Sequence, residues 1–342
     1  MKEGADFWAG TALRRWLLAG GQPPRSSTTI SAWRCRAFDI CANMQSLLPP
    51  PPSLKHHPFF IAGMWRTGST FVHELVAATG LFQVPRTFQC LRPSSFRLVS
   101  APQERSVDRP MDGVSISTFS PQEDEFALLL SGAPSLYRGF FDPRRLLELA
   151  PLLEGGDADD WQPILLPFLR TVAASSPHLP LALKSPNHLF RHASLRSAFP
   201  QSPWLLLFRD PTETWLSNVR MWTSMIERHG LWEPPADTVQ IFVSRAMLAA
   251  AAHLDELRNW QLAGGRLTTL RFEDLRRSPE SAVLNALGEL GFQMGVKEKR
   301  SLAQAIHHLK REPWTRPVQL PRAGQAAASA LLEAQARFPS ST

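Results

Sequence analysis

The sequence predicts an α/β domain built on a parallel sheet flanked by helices. Three observations carry that expectation. Short apolar runs recur along the chain, FFIA at 59–62, LALK at 181–184, WLLLF at 204–208 and LTTLRF at 267–272, and continuous apolarity is the mark of strands covered on both faces. Stretches with a helical period alternate with these runs, the order expected of a parallel sheet. The first run leads into Gly63 and then Gly68, the glycine spacing of a phosphate-binding loop set between a strand and a helix.

The elements follow in order. Residues 1 to about 48 form a basic, aromatic-containing extension, and Pro49 to Pro52 make a stiff, extended linker. The chain therefore divides into residues 1–55, the extension with its proline-rich linker, and residues 56–342, a single main domain. The stretch FWAGTALRRWLLAGG in the extension has arginines within its apolar part, which fits an amphipathic helix rather than a signal peptide. After the glycine loop, Phe71, Val72, Leu75 and Val76 share one helical face. In SPQEDEFALLLSG, Ser120 is placed to cap a helix, Pro121 to occupy its first position, and acidic residues to fill its first turn. A helical stretch separates the runs at 181–184 and 204–208. Between 237 and 260, Val243, Met247, Ala250, Leu254 and Leu257 recur at a helical spacing. LTTLRF is the last strand, and Ser278-Pro279 opens a helix that ends near Gly291.

Composition narrows the function classes. With 342 residues, 44% apolar and 20% charged, the chain has the makings of an ordinary globular core. The net charge of +7 comes from 37 basic and 30 acidic residues, only six of them lysine. Arginine suits bidentate binding of phosphate-like groups, and no basic run of the nucleic-acid-binding kind is present. No apolar stretch approaches the ~18 residues of a membrane span. Three cysteines, Cys35, Cys41 and Cys90, lack metal-ligand spacing and read as reduced thiols of a cytoplasmic protein. The partner implied is an anionic small molecule.

The loop itself, GMWRTGST, departs from the common pattern of G-x-x-x-x-G-K-[ST]. Ser69 stands where the lysine belongs, and Arg66 puts a cation inside the loop. Successive backbone N–H groups and the start of the next helix still make an anion site. Asp210, the acid that follows WLLLF, sits between Arg209 and Pro211, an unusual setting for a magnesium ligand. The expectation is a transferred group of low charge, moved without a metal.

These residues resemble the sulfotransferases that use 3′-phosphoadenosine 5′-phosphosulfate (PAPS). GMWRTGST is similar to their 5′-phosphosulfate loop, and FPQSPWLLLFRDPTETWLS to their 3′-phosphate motif, with Arg209 followed eight residues later by Ser217. LTTLRFEDLRRSPESAVLNALGELGF resembles the strand and helix that usually read YEDL…P…LG, LALKSPNH matches the strand-end lysine segment, and SPQEDEFALLL resembles a bacterial-type subgroup. The likeness covers about residues 56 to 340. It implies a P-loop-NTPase-like α/β fold and PAPS as co-substrate. By position, Arg66, Thr67, Gly68, Ser69 and Thr70 would cradle the 5′-phosphosulfate, and Phe71 would stand near the adenine. Arg209 and Ser217 would hold the 3′-phosphate. Lys184 would meet charge developing on the leaving phosphate, which is electrostatic stabilisation aimed at the transition state.

Two departures from the family pattern leave the general base open. The histidine that often follows the lysine by two residues is replaced by Pro186, and a glutamate used in other branches falls at TFQC, with Gln89. The usual tyrosine before EDL is Phe272. The candidates are then His188, four residues after Lys184, and the acids Glu123, Asp124 and Glu125. A neutral imidazole suits the task at pH 7, and on that ground His188 is favoured over Glu123 and Glu125. The function implied is sulfuryl transfer to a hydroxyl or amine of an apolar or lipid-like small molecule, whose pocket would lie in 85–120, 220–240 and 310–325. The rival readings are a P-loop kinase and a degenerate nucleotide-binding protein without turnover.

Overall fold

The alternation of side chains along each strand decides how the sheet is covered. The computed structural model describes residues 48–98, 103–108, 115–156, 158–308 and 320–339. In chain order the elements are β1 (Phe59–Gly63), α1 (Ser69–Ala78), α2 (Thr87–Leu91), β2 (Ser106–Asp108), β3 (Ser115–Ser117) and α3 (Asp124–Ser131). Two 3₁₀ segments follow, Leu136–Phe140 and Pro143–Glu154, and then α4 (Ala158–Ala173), β4 (Ala182–Lys184), α5 (Asn187–Phe190), α6 (His192–Ala198) and β5 (Trp204–Phe208). The chain continues through α7 (Pro211–His229), α8 (Thr238–Leu262), β6 (Leu267–Arg271), α9 (Phe272–Arg277), α10 (Pro279–Glu289), α11 (Val296–His308) and α12 (Arg322–Ala336).

The main sheet runs β4–β1–β5–β6, parallel throughout, and β2 pairs with β3 in a separate antiparallel ladder. All four apolar runs of the sequence are strands of the main sheet. Phe60 and Ala62 share one face with Leu183, Trp204, Leu206 and Phe208, and α7, α8 and α12 pack on it through Trp215, Trp222, Phe242, Met247 and Leu331. Phe59 and Ile61 share the other face with Ala182, Leu205 and Leu207, covered by α1, α10 and α11 through Val72, Leu75, Leu287 and Leu302. Each such side chain contributes about 1.5–3 kcal/mol on burial, so the two-sided cover anchors the strands firmly.

This topology positions the site. Parallel pairing puts the carboxyl ends of the four strands along one edge, where the chain reaches Gly63, Lys184, Arg209 and Phe272. β1 lies between β4 and β5, so the strand order reverses beside it. That is the crevice in which open α/β sheets bind their ligands.

Three expectations need correction or limits. The helix expected from Ser120-Pro121 begins at Asp124 instead. Pro121 bridges antiparallel to Arg86, the Ser120 carbonyl accepts from the Thr87 N–H at 2.9 Å, and the Gln122 N–H donates to Pro85 at 2.9 Å. These bonds hold residues 120–122 extended and leave Glu123 as the residue before the helix. Within the expected pocket segment 220–240, residues up to His229 continue α7, because Met221, Trp222 and Ile226 are buried in the core. The N-terminal helix expected before residue 48 lies outside the described residues, as do 309–319. Pro49–Pro52 has no regular secondary structure, and Arg97 donates to the Pro49 carbonyl at 3.1 Å.

Candidate active site

The loop after β1 is shaped by backbone conformations that side chains resist. Gly63 and Gly68 have φ of 148° and 86°, and a Cβ at Gly68 would stand 2.6 Å from the Phe272 ring. Arg66 takes the same left-handed region, φ 71°, although it carries a side chain, a strain of order 1–3 kcal/mol. Compensation comes from three directions. The Arg209 guanidinium donates to the Arg66 carbonyl at 2.8 Å, Asn218 donates to the Trp65 carbonyl at 2.9 Å, and the Thr67 hydroxyl donates to the Met64 carbonyl at 2.8 Å. The loop then feeds straight into α1, whose first-turn N–H groups have no acceptor within the helix.

The residues expected at the 3′-phosphate converge on this loop. Arg66 Nε donates to Ser217 Oγ at 3.0 Å, across 151 residues of sequence. Arg209 is buried, ion-paired with Glu213 at 3.0 Å and stacked on the Phe272 ring at 4.6 Å. Phe272 therefore occupies the tyrosine position with its ring packed against both Gly68 and Arg209. Asp210 accepts from the Glu213 N–H at 2.8 Å as the N-cap of α7, a structural task. Phe71 is half-buried against the cluster that contains Val72 and Leu75.

Lys184, at the end of β4, is 2% exposed. Its ammonium lies 2.6 Å from Glu123 Oε1 and 3.4 Å from Thr70 Oγ1. A buried ammonium is costly without such a partner. Behind it, His73 is fully buried, and burial followed by the Lys184 charge drives its pKa well below the ordinary histidine value. The second oxygen of Glu123 accepts from the Tyr137 hydroxyl at 2.6 Å, and Trp65 Nε1 donates to that same hydroxyl at 3.2 Å. Burial, and then the Glu123 charge, raise the Tyr137 pKa well above the phenol range, so the phenol remains a donor. Ser69 is buried within the same loop.

The other proposed bases lie elsewhere. His188 is 1% exposed, its Nε2 is 3.0 Å from Asp124 Oδ1, and the edge of its ring meets Phe60. Glu125 is fully buried, with both oxygens on Arg191 at 2.6 and 3.3 Å. Of the four candidates, Glu123 is the one that shares a hydrogen bond with Lys184.

Tyr137 and Trp65 were missed from sequence. A signal existed: Tyr137 is the single tyrosine of a chain with 20 phenylalanines, which makes its hydroxyl worth asking about. No local pattern, however, ties it to Glu123.

Residues 58–294 match the sulfotransferase family. The chain is 32% identical over 248 residues to the omega-hydroxy-beta-dihydromenaquinone-9 sulfotransferases Stf3 of Mycobacterium bovis (strain ATCC BAA-935 / AF2122/97) and Mycobacterium tuberculosis (strain CDC 1551 / Oshkosh), over 68% of this chain. The match spans 62% of the length of those relatives. Among solved structures, sulfotransferase STF9 from Mycobacterium avium aligns with a TM-score of 0.64 at 16% identity, covering 96% of this chain and 95% of that one. STF1 from Mycobacterium tuberculosis H37Rv aligns with a TM-score of 0.62 at 14% identity, covering 98% and 92%. These two likenesses establish the fold, an α/β P-loop-like architecture with helices on both faces of a parallel sheet. Together with the sequence matches, they lead to one conclusion: the chain belongs to the sulfotransferase family.

Proposed function

We propose that the protein transfers a sulfuryl group from PAPS to the hydroxyl of an apolar, lipid-like acceptor, with Glu123 rather than His188 as the base. The observation that carries this reading is the Lys184–Glu123 pair, 2.6 Å apart beside the loop at the sheet's carboxyl edge. The donor set fits a polyanionic co-substrate, because Arg66, Lys184 and Arg209 bring three cations to one end of the sheet. The hydroxylated menaquinone in the relatives' name supports a lipid-like alcohol as acceptor. Among the described residues no helix is long and apolar enough to cross a membrane, and the acceptor is taken as a small molecule.

Bound PAPS supplies a sulfuryl group whose bond to the phosphate oxygen breaks as the acceptor oxygen bonds to sulfur. Arg66 and the backbone N–H groups of residues 67–70 hold the 5′ end, and the Ser69 and Thr70 hydroxyls add donors. Arg209 and Ser217 hold the 3′-phosphate. Lys184 faces the leaving phosphate oxygen as it gains negative charge, a contact that strengthens in the transition state. Glu123 takes the alcohol proton. Each of its oxygens keeps a lone pair beyond the bonds to Lys184 and Tyr137, and those two bonds fix the direction in which it accepts. Tyr137 is thus a positioning residue. No acidic pair is assigned to a magnesium ion at the loop, and transfer is read as metal-independent.

The test is transfer from radiolabelled PAPS to a panel of long-chain and isoprenoid alcohols, with amines and sugars as comparison acceptors. Labelled lipid sulfate, formed without added magnesium, is the expected result. A protein that binds adenosine 3′,5′-bisphosphate but labels only sugars or amines would overturn the lipid assignment. Preference for ATP over adenosine 3′,5′-bisphosphate would overturn the donor.

A further inference from the structure

We infer that His192, His253 and Glu256 form a zinc-binding site that ties α6 to α8, separate from the Lys184–Glu123 centre. His192 opens α6, while His253 and Glu256 lie one turn apart on α8 and so share a helix face. His192 Nε2 is 3.2 Å from His253 Nδ1 and 3.2 Å from Glu256 Oε2, and the three ligand atoms all lie within 4.8 Å of one another. Tetrahedral zinc with ligands at about 2.0–2.1 Å places its ligand atoms about 3.4 Å apart. Both distances from His192 Nε2 are within a few tenths of an ångström of that value.

The hydrogen bonding around the cluster prepares it for a cation. His253 Nε2 lies 2.8 Å from the Leu153 carbonyl, so the proton resides on Nε2 and the Nδ1 lone pair points into the cluster. A carbonyl on the far nitrogen is the usual outer partner of a zinc-bound histidine. His192 is fully buried. Without a metal, one proton on His192 Nε2 serves two acceptors at once, His253 Nδ1 and Glu256 Oε2. Zinc at His192 Nε2 requires that proton to move to the ring's Nδ1, and the three ligand atoms then offer their lone pairs together. Two imidazoles and a carboxylate suit zinc among the common divalent ions. Glu256, 58% exposed at its side chain, gives the ion a route from solvent. The Arg196 guanidinium stands over the Trp260 ring at 5.1 Å.

The experiment uses the full chain, stripped with a chelator and titrated with zinc chloride against a competing zinc indicator. Cobalt(II) serves as the spectroscopic substitute. Glu256→Gln is the informative variant, because the carboxylate is exposed and its loss leaves the core untouched. His307→Gln/His308→Gln removes an exposed histidine pair at the end of α11 and controls for adventitious binding. The expected result is one equivalent of zinc, a visible cobalt spectrum of tetrahedral type, and a melting temperature raised by zinc. Glu256→Gln should weaken zinc binding at least tenfold, and the His307/His308 variant should not weaken it. Absence of zinc binding by the parent overturns the site. So does binding that survives Glu256→Gln, or binding lost in the His307/His308 variant.

Discussion

The loop at Gly63–Thr70 and the acidic triplet at 123–125 reach one site by opposite routes. In the loop, neighbours in sequence stay together: the backbone turns once, and contiguous residues line the carboxyl end of β1. In the triplet, neighbours in sequence are separated. Glu123 pairs with Lys184, Asp124 with His188 and Glu125 with Arg191, at 2.6, 3.0 and 2.6 Å. Two short segments, 123–125 and 184–191, thus meet through three successive pairs that run from the site edge into the core. Side-chain exposure falls from 12% at Glu123 to zero at Asp124 and Glu125. Depth, more than chemical type, separates the carboxylate at the site edge from two that hold the fold.

Neutralising Glu123 and Glu125 one at a time separates the two roles. Glu123→Gln should lower single-turnover transfer by ~10²–10⁴-fold, the usual cost of losing a positioned base, with PAPS binding retained. If His188→Gln shows that loss and Glu123→Gln does not, the base assignment is wrong. Glu125→Gln should act differently. Breaking a buried pair from one side costs about 3–5 kcal/mol, so denaturant unfolding should show a large loss of stability, while turnover per folded molecule stays near the parent value. A variant with normal stability and no turnover would return Glu125 to the chemistry.

On the loop side, Arg209→Ala removes a charge-assisted bond worth about 1.5–3 kcal/mol, and adenosine 3′,5′-bisphosphate should bind about ten- to a hundredfold more weakly in calorimetry. Unchanged affinity would separate Arg209 from the 3′-phosphate. Tyr137→Phe keeps the ring and deletes the donor to Glu123. Turnover should fall about tenfold, with a shifted pH–rate profile and little change in cofactor affinity; an unshifted profile would reduce Tyr137 to packing.

The smallest effect is on stability against pH. His73 is held neutral by burial and by Lys184, and His229, lowered to about 4, by burial and then Arg228. Their folded pKa values lie below the unfolded value of 6.5, so the unfolded chain binds more protons between the two. Their contribution is present above pH 6.5 and is lost as pH falls through the folded values, about 4 for His229. Urea midpoints measured from pH 7.5 down to 5 should decline, and less steeply in His229→Gln.

The sequence by itself determined the strands, the loop and the order of the motifs, because each is a local matter. Continuous apolar runs allow only strands covered on both faces, and Gly63 and Gly68 mark positions where the backbone takes conformations that side chains resist. Arg66, Lys184, Arg209 and Ser217 were singled out by the resemblance of their motifs to a known family; the first three lie in the loop after β1 or at or just past a strand end, and Ser217 lies in α7. The tertiary structure alone decided which acid faces the lysine. The Arg86–Pro121 bridge holds residues 120–122 out of the helix, so α3 starts three residues later than its proline suggests and Glu123 is turned to the site edge. Whether a side chain meets solvent or core depends on what the rest of the chain packs over it, and neither residue type nor spacing carries that information. The same holds for Tyr137, which reaches Glu123 only because the 3₁₀ segment at 136–140 folds back over the start of α3.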